Sequence, residues 1–177
     1  MSGDGDVQAW LRERGAEAID HPGGTLYTHL CRVRDRLAGL GATPDLRLAG
    51  LTHAAYGTDG FDSTLLDRAD RGVLRDLIGP DAEALVYLYG ACDRRRTWRT
   101  LAGTATVVDR FTGRSTVLGP SQLGPFVDLS VVNELDVMEQ DPSLLDRYGG
   151  YFRELFAAWR PVASPRVAAE VRDVPGR

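Results

Sequence analysis

Apolar side chains recur at three- and four-residue steps through most of this chain, in segments cut by glycine and proline, and that period selects helices over strands. Val7, Trp10 and Leu11 mark a first helix over about Asp6 to Arg14, read as a lid or strap and stopped at Gly15. Thr25 is the N-cap of a second helix carrying Leu26, His29, Leu30, Val33 and Leu37, which ends near Gly39 or Gly41. Thr43 and Pro44 start a third, with Leu46, Ala49, Gly50 and His53 down one side, and the short connection implies antiparallel neighbours. After a glycine-broken loop, residues 56–62, a stripe from Leu65 to Ile78 reads as one core helix and Ala82 to Cys92 as the next.

The period changes once. From Thr104 to Leu118 threonine, valine and phenylalanine gather around Thr112 and Gly113, which reads as a β-hairpin. Helix resumes over Gly119 to Gln140, apolar on nearly every side between Phe126 and Met138 and therefore buried. Asp141, Pro142 and Ser143 cap a last helix through Trp159, and residues 161–177 read as a frayed or extended tail. The expected fold is mainly all-α with a small inserted hairpin, as a single domain over residues 1–160 of the 177, a length that needs no disulfide or metal to fold.

Composition removes several functions. All 21 basic residues are arginine, so a lysine nucleophile, a Schiff base and a P-loop lysine are excluded. A net charge of -4 argues against a general nucleic-acid or anionic-membrane binder. No apolar run reaches the roughly 18 residues of a membrane span. Cys31 and Cys92 are far apart, and the first twenty residues have neither a basic nor an apolar signal region, so a cytoplasmic protein with reduced thiols is expected. The expected partner is a small molecule. The aromatic residues of the last helix, Tyr148 and Tyr151, pack on the core or on a second copy, with a homodimer as the expectation.

All three histidines fall in the first third. His29 and His53 lie on the apolar sides of two helices expected to pack together, and His21 lies in the loop before His29. Imidazoles facing each other in a helical interior hold a divalent metal or place a general acid and base. A single histidine on such a face is more often a hydrogen-bonded core residue, and convergence of the pair is what favours function.

These residues resemble a family. The segment His29-Leu30-Cys31-Arg32-Val33 and the segment Leu48-Ala49-Gly50-Leu51-Thr52-His53-Ala54 are similar to the two histidine helices of the HD-domain superfamily of metal-dependent phosphohydrolases. Leu77 to Val86 resembles the helix pair that follows in its stringent-response hydrolases, and the spacing from His21 to Thr58 resembles a divergent branch of HD-like proteins. The likeness covers about residues 20 to 95 and is looser from Asp109 to Asp136. Two departures stand out: Ala54 replaces the aspartate of the His-Asp pair, and Asn133 stands where the final aspartate would be. The resemblance then implies a mononuclear rather than a dinuclear site. His29 and His53 would supply two nitrogens, with His21, Asp59 or Asp93 completing the set. Iron would point to oxidation, and zinc or manganese to hydrolysis.

Other residues enter as candidates. Tyr56 and Asp59, in the loop after His53, either face the pocket and join His53 in catalysis or form a tight turn in which Asp59 caps the next segment. Arg94 and Arg96, in the run after Asp93, are candidates to clamp an anionic substrate by forked hydrogen bonds, against the plainer reading of a solvated helix end. Asn133 and Asp136 need partners on a buried helix, and Asn133 is a candidate for substrate contact. The leading expectation is a metal-dependent HD-like enzyme. Its rivals are a metal-free acid–base enzyme built on His53, Tyr56 and Asp59, and a non-catalytic binding or oligomerisation module on the same scaffold.

Overall fold

A computed structural model describes residues 3–173. The fold is mainly α-helical, as expected, with strands confined to two short pairs among the described residues. The chain divides into two compact units, residues 1–91 and 92–177, where the sequence had suggested one domain over residues 1–160.

The first unit holds α1 (Asp4–Glu13), β1 (Asp20–His21), β2 (Gly24–Thr25), α2 (Leu26–Gly39), α3 (Pro44–Thr52), α4 (Arg71–Ile78) and α5 (Pro80–Ala91). Val7 and Leu11 of α1 have no exposed surface, so α1 belongs to the core instead of lying over it as a lid. Strands β1 and β2 pair His21 with Gly24 across a tight turn, and Gly23 supplies the left-handed backbone the turn needs (φ 77°). Thr25 then caps α2, its hydroxyl accepting from Thr28 N while the Thr28 hydroxyl accepts from Thr25 N. Thr43 caps α3 in the same way, accepting from Leu46 N, with Pro44 in the first turn.

Helix α3 packs on both α2 and α5. Gly50 of α3 lies against α2, where an added Cβ would sit 2.5 Å from Leu37 Cδ1. The apolar stripe from Leu65 to Ile78 is not one helix. Leu65 and Leu66 are buried, yet both donate their amide hydrogens to Ala55 O at 3.0 Å, which holds them in the loop. Asp67 caps a short turn, α4 begins at Arg71, and Val73, expected in the core, is 44% exposed.

The second unit holds α6 (Arg94–Thr97), α7 (Leu101–Thr104), β3 (Thr106–Val108), β4 (Ser115–Val117), α8 (Pro120–Gln140), α9 (Pro142–Trp159) and α10 (Pro165–Glu170). The expected hairpin is present, with Val107 opposite Thr116. Its turn is closed by Asp109, whose carboxylate accepts from Phe111 N and Thr112 N. The α8 segment from Phe126 to Asp136 is buried on every side, as its composition predicts. Trp98, Phe152, Phe156 and Trp159 form an aromatic core, and the Trp159 indole donates to Trp98 O at 3.1 Å.

The tail reading needs correction. Residues 165–170 are helical, because Ser164 N donates to the buried Asp128 carboxylate at 2.9 Å and Val167 is 2% exposed. The last residues of that expected tail lie outside the described range.

Candidate functional site

His29 and His53 meet. Helix α2 carries His29 one turn past its cap, α3 ends at His53, and their Nε2 atoms stand 3.3 Å apart with both side chains buried, 1% and 2% exposed. His53 Nδ1 lies 2.8 Å from Gly50 O. A carbonyl can only accept, so Nδ1 carries the proton and a neutral His53 presents the Nε2 lone pair to His29. The same glycine thus sets the spacing of the helices and the tautomer of the ring.

The β1–β2 turn adds His21, whose ring stacks on His29 with centroids 4.0 Å apart and planes at 23°. Arg32 steadies that turn, donating to Pro22 O and Gly23 O. Phe61 packs in a T-shaped contact with the His21 ring at 5.3 Å and Tyr89 of α5 does the same with His53 at 5.2 Å, so one aromatic ring lies against His21 and another against the pair.

Donor chemistry and spacing both bear on a metal. Two nitrogens each about 2.0–2.1 Å from one tetrahedral ion lie about 3.3–3.4 Å apart, whereas a direct hydrogen bond is usually about 2.7–3.2 Å. A carbonyl on the distal nitrogen is also the usual support for a ligating histidine. The pair therefore fits two positions of a mononuclear site. Among the described residues, no group of three or more histidine, cysteine, aspartate or glutamate side chains is arranged to hold an ion.

The other expected residues are placed differently. Tyr56 is buried, but its hydroxyl donates to Glu83 Oε1 at 2.8 Å and is committed there. Burial, then the Glu83 bond, holds the Tyr56 phenol well above its ordinary pKa, so it stays a donor at neutral pH. Asp59 is half-buried in a turn closed by paired bonds between Thr58 and Phe61, with Gly60 at φ 90°. That turn delivers Phe61 to the His21 ring. Asp93, in the second unit, caps α6, its carboxylate accepting from Arg96 N at 3.0 Å. Arg96 is exposed at that helix end. Arg94 Nη1 and Asn133 Nδ2 both donate to Glu134 Oε1, at 2.9 and 2.8 Å, so an internal carboxylate takes the place expected of an anionic substrate.

Residues the sequence did not single out matter as much. Glu83, 1% exposed in the first turn of α5, receives two bonds from Arg71, Nε to Oε1 at 2.7 Å and Nη2 to Oε2 at 2.8 Å, besides the Tyr56 hydroxyl. Arg71 also stacks over Tyr87, 3.8 Å from the ring centroid. An acidic residue early in a helix is an ordinary surface signal, which is why Glu83 gives no notice of itself.

Burial alone would raise the Glu83 carboxyl, but the Arg71 and Tyr56 hydrogen bonds outweigh it and hold the pKa below the ordinary value. A depressed folded pKa contributes stability that is fully present above the unfolded value, about 4.3, and is lost as pH falls through the folded one. Acid unfolding of the wild type should therefore steepen below about pH 4. Glu83→Gln should flatten that limb in a pH series of thermal melts, and an unchanged limb would show that Glu83 is not the linked group.

The fold and site together define a mainly helical protein with a buried histidine pair in its first unit. A family model described as a domain of unknown function (DUF6817) matches residues 10–94, just under half of the chain, and that stretch includes His21, His29, His53, Tyr56 and Glu83. No curated protein and no solved structure gives a match. Among the described residues no helix is long and apolar enough to cross a membrane.

Proposed function

We propose that the first unit is the centre of an HD-like enzyme, in which His29 and His53 hold one divalent ion and the chain acts on a small anionic substrate. The observation that carries this reading is the 3.3 Å separation of the two Nε2 atoms, with His53 oriented by Gly50 O. Bound zinc or manganese would supply a Lewis acid for phosphoester hydrolysis, and bound iron an oxidation centre. His53 offers its Nε2 lone pair, Gly50 O fixes that tautomer, and the Phe61 and Tyr89 rings limit water around the imidazoles. Ala54, which cannot ligate, keeps the reading to one ion.

Metal analysis of untagged protein, beside His29→Gln and His53→Gln, tests this directly. About one equivalent of iron, manganese or zinc is expected in the wild type and none in either variant, with circular dichroism unchanged. Wild-type protein that stays metal-free after reconstitution would overturn it. A second reading then follows from the same contact: His29 Nε2–H donates to His53 Nε2, and the pair works as a metal-free acid–base centre.

A further inference from the structure

The second unit carries a shallow groove lined by Arg99, Tyr151, Glu154, Leu155 and Ala158, none of them histidine. Four of these share one face of α9, at steps of three and four residues, and Arg99 comes from the turn between α6 and α7. The Arg99 guanidinium lies over the Tyr151 ring, 5.0 Å from its centroid, a contact that uses none of its N–H donors. Tyr151 is half-buried; burial raises its pKa, with Arg99 opposing, so its hydroxyl remains a donor beside that cation. Glu154, three residues further along α9, sets a carboxylate on the same groove, and Leu155 forms an apolar floor, 4% exposed.

The charges decide what fits. A simple anion drawn to Arg99 would meet Glu154, and a simple cation drawn to Glu154 would meet Arg99. A pairing of the two side chains across the groove would be an exposed ion pair, worth about 0–1 kcal/mol, which a ligand satisfying both can displace. The space is small, about 100 Å³, against roughly 300–1,000 Å³ for drug-sized sites. The geometry points to this groove as a binding site for a small zwitterion, an amino-carboxylate with a short apolar side chain. Its carboxylate takes the forked donors of Arg99 and the Tyr151 hydroxyl, its ammonium faces Glu154, and its apolar end rests on Leu155 and Ala158.

The test is an amide NMR titration of the full-length, isotope-labelled chain with three probes: L-valine, isovalerate, which lacks the amine, and isobutylamine, which lacks the carboxylate. Saturable shifts with L-valine around residues 99 and 151–158 are expected, with each truncated probe binding at least roughly tenfold more weakly. Arg99→Gln and Glu154→Gln, both at exposed positions, should each weaken L-valine by a similar factor, and Tyr151→Phe by less. Isovalerate binding as well as L-valine would make this a plain anion site and overturn the proposal. So would the absence of saturable shifts, or L-valine affinity unchanged by Arg99→Gln. None of these outcomes bears on the histidine pair, which belongs to the other unit.

Discussion

Arg71→Met should destabilise the first unit by about 3 kcal/mol, the low end of what breaking a buried ion pair costs, because Arg71 is itself 31% exposed. The change keeps the aliphatic stem but removes the guanidinium, and with it both charged hydrogen bonds to Glu83 and the stacking over Tyr87. What remains for a carboxylate 1% exposed is the Tyr56 hydroxyl and Arg75, 3.9 Å away and half in solvent. At about 2–4 °C per kcal/mol, the melting transition should fall by about 6–12 °C. Adding Glu83→Gln should recover part of the loss, since a neutral amide still accepts from Tyr56 and leaves no buried charge. A loss below about 1 kcal/mol would mean that water screens the pair as it does on a surface.

Gly50→Ala is the second large effect, and it ties packing to the site. Its Cβ would lie 2.5 Å from Leu37 Cδ1 and 3.4 Å from Val33 Cγ1, and neither of those side chains has exposed surface into which to move. Overpacking of this kind costs about 1–3 kcal/mol. Relief comes from a shift of the enclosed Leu37 side chain or from separation of α2 and α3, and separation carries His29 away from His53 and moves the carbonyl that holds His53 Nδ1. The expected result is a lowered melting temperature together with loss of the ion proposed at the histidine pair. Gly39→Ala is the control: nothing lies within 4 Å of its added Cβ, and it ends the same α2 helix. Equal effects from the two substitutions would show that helix propensity, and not the α2–α3 contact, governs both.

Much of this was readable in advance. Helix starts at Thr25 and Thr43 follow from local capping chemistry, and the hairpin from a local change of period, so neighbouring residues suffice to place them. The meeting of His29 and His53 was also accessible, because helical spacing assigns each to an apolar face and a short connection brings the faces together. Where local pattern competed with distant contacts, it misled. Leu65 and Leu66 continue the apolar stripe of α4, yet Ala55 O takes their amide hydrogens and keeps them in the loop. Three prolines suggested an extended tail, but the Asp128 carboxylate on α8 holds the start of α10.

The sequence by itself determined the helical class, the element boundaries that caps and glycines mark, and the candidacy of the three histidines, because each depends on residues within a turn or two of one another. Tertiary structure alone decided which polar groups answer each other. Tyr56 turned to Glu83 rather than toward the histidines, and Arg94 to Glu134. A buried polar group must find a partner wherever the packing sets one, and Tyr56 and Glu83 stand 27 residues apart, a separation at which no periodicity can signal the pairing.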